Sequence, residues 1–328
     1  MGSFVSFVDR LVDKISEKRS ILCVGLDPQP QWIPEEIFKE ASEQVKDDEN
    51  AKEITARAIL IFNKAIIEAV KDLAVVVKPQ IAFYEAYGSS GIWAFEETIK
   101  FAKKQGLLII EDAKRCDGGD TAKFYAQGHL GEIDVFSKSG FVKEKGVDAD
   151  AMTVIPWTGL AGLDHFIRIV KEKGKGIFVV VKTSFRPNSA IEQIPTAKGT
   201  KMWEEAALLI KQWAQRCGGK SGLNNIGVVV GATYPEEASK MREIYPDAFF
   251  LVPGYGAQGG GAEGAVAGVR EDGLGVIVNS SRGIIFAYER SEKFKDKPEN
   301  FAESAKKAAE FSRDELNQAL EKKANLPW

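Results

Sequence analysis

Leu107-Leu108-Ile109-Ile110-Glu111-Asp112-Ala113-Lys114-Arg115-Cys116-Asp117-Gly118-Gly119-Asp120-Thr121 is an apolar run of strand length that ends abruptly in charge. Strand side chains alternate in direction, so Asp112 and Lys114 are expected to point the same way. Gly118-Gly119 cannot extend a strand cheaply, which puts Asp117 in a loop. Acid, base and acid thus follow a strand too apolar to be solvated. Such charge is costly to desolvate unless its members pair, and at a strand's end it is more often a reaction site than a scaffold feature. The same D-x-K-x-x-D pattern could describe a salt-bridged surface loop. The rest of the chain separates the two readings.

Outward from this stretch the pattern repeats. Eight apolar strands are read near residues 21, 74, 107, 150, 177, 226, 248 and 275. Between them lie helical patterns over 51–72, 91–105, 121–130, 163–173, 201–216, 235–244 and 262–271. A short extra strand is expected at 134–137. Residues 3–19 space Phe4, Phe7, Val8, Leu11, Val12 and Ile15 as one helix face, and further helices fill 300–323. Continuous apolar strands imply a parallel sheet buried on both faces. Eight such units favour a closed (β/α)8 TIM barrel, an α/β fold, with an N-terminal helix and extra C-terminal helices. An open Rossmann sheet expects G-x-G-x-x-G after the first strand. Here that strand ends Gly25-Leu26-Asp27-Pro28. No linker is visible, so residues 1–328 read as one catalytic barrel domain.

Composition narrows the function. A net charge of -3 gives no reason to expect nucleic acid or a membrane surface as partner, and an anionic ligand must be held by local cations. No apolar run approaches a membrane span, and the N-terminus lacks a signal-peptide core. Cys23, Cys116 and Cys217 are far apart without CxxC spacing, so a reducing, cytoplasmic compartment is expected. His129 and His165 cannot make a multi-histidine metal site; both read as satisfied or helix-surface residues. Trp93, Trp157, Trp203 and Trp213 read as packing residues, and Cys116 is not read as a nucleophile.

Barrel chemistry sits at the C-terminal strand ends. Asp27, Lys78, Asp112, Lys114, Thr183-Ser184, Gln258 and Arg282 all fall there. The glycine-rich loop Pro253 to Gly261 exposes backbone N–H groups ahead of a helix, and Arg282 matches phosphate geometry. Together they point to a phosphate monoester ligand. Lys78, Asp112, Lys114 and Asp117 are expected to converge as alternating charges, each keeping its neighbours ionised. Two cations there would oppose a divalent ion, so no metal is expected. A protonated lysine among carboxylates can donate to a developing carbanion.

These residues resemble orotidine 5'-phosphate decarboxylases, the longer, second-type branch in particular. The resemblance runs from Ser20 to Tyr288. It is carried by Gly25-Leu26-Asp27, Val77-Lys78-Pro79-Gln80, Asp112-Ala113-Lys114-Arg115-Cys116-Asp117 with Thr121, Pro253-Gly254 through Gln258-Gly259-Gly260, and Ser280-Ser281-Arg282-Gly283. It implies cofactor-free and metal-free decarboxylation of orotidine 5'-phosphate to UMP and carbon dioxide, in pyrimidine biosynthesis. Asp27 and Lys78 would hold ribose hydroxyls, and Asp112 would sit beside the leaving carboxylate. Lys114 would protonate C6, Ser184 would contact the pyrimidine, and Gln258 and Arg282 would grip the phosphate. It also implies a homodimer in which Asp117 and Thr121 reach the partner's site. No phosphoribosyl-transfer domain is visible, so a monofunctional chain is expected. One departure stands after the fourth strand, where Ile155-Pro156-Trp157 replaces an expected Asn before Pro. Sugar-phosphate enzymes similar to hexulose-phosphate synthase share D-x-K-x-x-D but use magnesium, and Lys78 argues against them. A nucleotide-sensing barrel without turnover is the other alternative, and intact Asp112 and Lys114 argue against it.

Overall fold

The computed structural model describes residues 4–46, 50–185, 190–256 and 259–328. Eight parallel strands close into a barrel in chain order: β1 (Leu22–Leu26), β2 (Val76–Pro79), β3 (Leu108–Arg115), β4 (Ala151–Val154), β5 (Gly176–Lys182), β6 (Asn224–Val230), β7 (Ala248–Val252) and β8 (Val276–Ser280). Val24 closes the ring, pairing with Val77 on one side and Ser280 on the other. Every residue of β1, β2, β4, β6, β7 and β8 is buried, as a sheet covered on both faces requires.

The N-terminal helix Phe7–Lys18 starts at Ser6, whose hydroxyl accepts from the Asp9 N–H. It covers the N-terminal end of the barrel. Phe7 meets Phe178 edge-on at 6.0 Å, and burying such a ring contributes about 2 kcal/mol. Gly176 is required beneath it, because a Cβ there would lie 2.3 Å from the Phe7 ring. The C-terminal helix Phe301–Lys323 seals the flank, where Phe62 stacks between Phe286 and Phe301 at 5.4 and 5.1 Å.

The extra strand forms as expected, and two other expectations need correction. The strand expected at 134–137 is one arm of an antiparallel hairpin outside the barrel, Glu132–Ser137 with Gly140–Lys145. Its second arm is nearly all exposed and carries no apolar alternation to betray it. The helix expected over 262–271 ends at Ala265. Gly264 and Gly268 weaken a helix there, and Gly268 is pressed to within 2.5 Å of the Phe250 ring if given a Cβ. Trp157 is not a packing residue: it is 75% exposed. Trp203 is buried, and Trp213 packs against the core.

Two β-register shifts lie near the C-terminal mouth, between Glu111 and Arg115 and between Val180 and Lys182. Bulges at barrel rims commonly re-aim side chains next to a site. Both shifts here flank lysines that matter below.

Candidate active site

β3 splits its charges between two faces. Glu111 is fully buried on the helix side and lies 2.7 Å from His129 of the helix Gly119–Leu130. Arg115 donates from Nε to His129 Nε2 at 3.3 Å, so that nitrogen accepts, whereas His129 Nδ1 and both Glu111 carboxylate oxygens are buried with no hydrogen-bond partner among the described residues, so His129 is only half satisfied. Asp112, one position on, faces the barrel mouth. Its Oδ2 accepts from Lys78 Nζ at 2.7 Å, and its Oδ1 accepts from Lys114 Nζ. The Thr153 hydroxyl of β4 donates to Oδ1 at 2.9 Å and in turn accepts from the Lys114 backbone N–H at 3.0 Å. Lys114 adopts a left-handed backbone with φ 47°. A non-glycine residue there costs about 1–2 kcal/mol, which the surrounding structure must over-determine. The bulge and the Thr153 hydrogen bond do so.

Burial by itself would raise the Asp112 carboxyl's pKa. The Lys78 and Lys114 ammoniums outweigh it and hold that carboxyl well below the usual carboxylate range. Burial likewise opposes the Lys78 charge, yet Asp112 and then Asp27 push its pKa above the ordinary lysine value. Lys78 and Asp112 therefore stay ionised at neutral pH, and both are buried, in a nearly dry floor.

This floor opens into a cavity of about 420 Å³ lined by Asp27, Lys78, Asp112, Lys114, Thr153, Thr183, Ser184, Tyr255, Asn279 and Arg282, among others. Asp27 Oδ1 is buried with no hydrogen-bond partner among the described residues. A buried acceptor left unmade costs about 1–3 kcal/mol, so a ligand donor fits there. Arg282 has no ion-pair partner among the described residues and opens the short helix Arg282–Ile285. Gln258 lies outside the described residues. Gly254, Gly256 and Gly259 of its loop all have positive φ, which only glycine adopts freely.

Asp117 and Thr121 do not join this cavity within one chain. Both are exposed, and Asp117 Oδ1 accepts from the Gly118 N–H at 2.7 Å. The expected convergence therefore holds for Lys78, Asp112 and Lys114 and not for Asp117. Thr153, Asn279 and Tyr255 are additions the sequence did not announce. A neutral hydroxyl inside an apolar strand carries no such signal. A larger hollow, about 820 Å³, lies at the opposite rim. Its cations are already engaged: Lys103, Lys145 and Lys175 by Asp148, and Arg10 by Asp150. Size favours that hollow, but unpartnered polar groups favour the mouth, and the latter is the better mark of a site.

Gly25 lies directly beneath the Ser281 turn. A Cβ there would fall 1.9 Å from Ser281 Oγ and 3.0 Å from Asn279 Oδ1. Gly25→Ala is expected to displace the Ser281-Arg282 turn and weaken binding of a phosphate monoester about tenfold, the loss of one good contact. Calorimetry with ribose 5-phosphate checks this; wild-type affinity would remove Gly25 from that role.

A closed barrel with a Lys–Asp–Lys floor at its C-terminal mouth is the architecture of a (β/α)8-barrel enzyme. Residues 20–296 match the model of the Orotidine 5'-phosphate decarboxylase / HUMPS family, and the chain belongs to that family. It is 38% identical to an orotidine 5'-phosphate decarboxylase of Caldicellulosiruptor saccharolyticus over 87% of this chain and 90% of that one. It is 36% identical to the enzyme of the same name from Clostridium acetobutylicum over 95% and 99% of the two chains. Among solved structures, the OMP decarboxylase of Leishmania donovani superimposes with a TM-score of 0.68 at 28% identity, covering 96% of this chain and 99% of that one.

Proposed function

We propose that this chain decarboxylates orotidine 5'-phosphate to UMP and carbon dioxide without metal or cofactor. The observation that carries the reading is the hydrogen-bonded Lys78–Asp112–Lys114 floor, sharing one cavity with Arg282, which has no ion-pair partner among the described residues. Arg282 grips the phosphate, with Gln258 as the second contact. The unsatisfied Asp27 carboxylate and Lys78 take the ribose hydroxyls. Ser184 faces the pyrimidine, which leaves the substrate carboxylate against Asp112. Binding energy from the phosphate offsets that like-charge approach. As the bond from C6 to the carboxylate breaks, its electron pair stays on C6. Lys114 gives C6 a proton, and the resulting amine recovers one from water. A divalent ion would meet two ammoniums at this floor, which disfavours it electrostatically. A decarboxylation assay followed at the pyrimidine absorbance tests the reading. No loss of orotidine 5'-phosphate, or activity that depends on magnesium, would overturn it.

The same reading includes a homodimer in which Asp117 and Thr121 complete the partner's cavity. Both are exposed, as such a role needs. Phe124, 69% exposed, lies three residues on from Thr121 along the same helix. The exposed Trp157 is in the loop whose Thr158 hydroxyl donates to the Asp117 carbonyl. Large apolar side chains exposed on the segments that flank Asp117 and Thr121 fit a contact surface. Mixing inactive Lys114→Ala and Asp117→Ala chains is expected to restore activity, because one site of each hybrid dimer is then intact. No recovery despite subunit exchange, confirmed by native mass spectrometry, would count against sharing.

A further inference from the structure

The cavity wall formed by Thr183, Ser184 and Phe185 is held residue by residue from outside the cavity. The Thr183 N–H donates to Glu192 Oε2 at 3.1 Å and its hydroxyl to Oε1 at 3.2 Å. The Thr233 hydroxyl donates to the Ser184 carbonyl at 3.1 Å, and the Tyr234 hydroxyl donates to the Phe185 carbonyl at 3.0 Å. Behind them the buried Lys182 ammonium lies 2.6 Å from Glu192, 3.3 Å from Glu237 and 4.1 Å from the centre of the Tyr234 ring. Glu237 also accepts from Gln193 at 2.7 Å and stands 3.3 Å from Lys201. One cation therefore links the short helix after the wall to the helix Pro235–Ile244 after β6. Gly231 leaves no slack, since a Cβ on it would lie 2.6 Å from the Ser184 Cα.

A buried ion cluster stabilises a fold poorly compared with apolar packing of the same volume, but it fixes geometry. None of Lys182, Glu192 and Glu237 lines the cavity, so contact with substrate is not what these charges do. We propose that the Lys182–Glu192–Glu237 cluster, with Thr233 and Tyr234, is a positioning device that presets the Thr183–Phe185 wall for the base of a bound nucleotide. The inference rests on the cavity reading above and assigns specificity to a set of residues one layer behind it.

The test compares UMP with ribose 5-phosphate, which keeps the phosphate and sugar but lacks the base. Glu192→Gln is expected to weaken UMP about tenfold while leaving ribose 5-phosphate within about twofold, since only the wall side is loosened. Hydrogen exchange of fragments covering residues 182–185 should quicken in the same variant. Lys182→Met, which removes the charge, should move both readouts as Glu192→Gln does, and Lys182→Arg, which keeps it, should lie nearer wild type than Lys182→Met. Tyr234→Phe removes a single hydroxyl and should shift both in the same direction by less, so it serves if Glu192→Gln does not fold. Equal weakening of UMP and ribose 5-phosphate, or unchanged exchange, would overturn the positioning role. The exchange measurement needs no ligand, so it decides this inference even if the wild-type chain fails to decarboxylate orotidine 5'-phosphate.

Discussion

Replacing Lys114 by alanine is expected to abolish turnover of orotidine 5'-phosphate while leaving UMP binding measurable. Lys114 is the least buried member of the floor, its side chain being 44% exposed, so it can reach into the cavity and recover a proton from water. General-acid catalysis contributes on the order of 10²–10⁴ in rate, so at least that much should disappear. The backbone should survive the change. The left-handed conformation at this residue is no worse for alanine than for lysine, and the Thr153 hydroxyl still anchors the N–H. UMP has no carboxylate, and Arg282, the phosphate contact proposed above, is a different residue of the cavity lining. Its affinity should fall by less than about tenfold, one charge-assisted hydrogen bond at most. Single-turnover kinetics and calorimetry separate the two quantities. A variant turning over within tenfold of wild type would end the proton-donor role.

Asp112→Asn should be the second severe change, through charge rather than shape. It leaves the Lys78 and Lys114 ammoniums facing each other without the anion between them, and Lys78 is buried. Removing one partner of a buried pair costs about 3–5 kcal/mol. The expected results are a destabilisation of about 3 kcal/mol in urea, loss of turnover, and a fall in the Lys78 pKa, since Asp112 is the chief group that raises it. The pH dependence follows in sign. Asp112 has a depressed pKa in the folded chain, so its contribution to stability is complete above about pH 4, where the unfolded carboxyl ionises. That contribution is lost only as pH falls through the still lower folded value. Any change in wild-type stability between pH 5 and 7 should therefore owe nothing to this residue, whose full contribution is present throughout that range. An Asp112→Asn chain as stable as wild type at pH 7 would contradict the network's assigned weight.

The barrel was readable because buried parallel strands cannot hide their composition. β1 and β7 are apolar along their lengths, and Asp27, Lys78, Asp112 and Arg282 stood out by following or ending such runs. What was not readable has common physical causes. Thr153 sits in an apolar strand, where threonine packs as readily as valine, and only a neighbouring strand gives its hydroxyl a partner. The positive φ at Lys114 comes from a bulge between two strands, which is a property of pairing rather than of local sequence. Lys182, Glu192 and Glu237 are distant along the chain, and nothing before folding says that they share a charge cluster. Asp117 was expected within the cluster on spacing alone. The turn at Gly118-Gly119, with Gly119 at φ 56°, carries it outward instead.

The two faces of β3 limit how this chain can change in length. Glu111 and Asp112 are adjacent carboxylates with opposite surroundings, one against His129 and one between two lysines. Deleting a single residue upstream in the strand would exchange them and send the reactive acid in among the helices. Length variation in relatives should therefore gather in the hairpin Glu132–Lys145, which lies outside the barrel by the rim opposite the Lys78–Asp112–Lys114 floor and can grow or shrink without rotating any barrel strand.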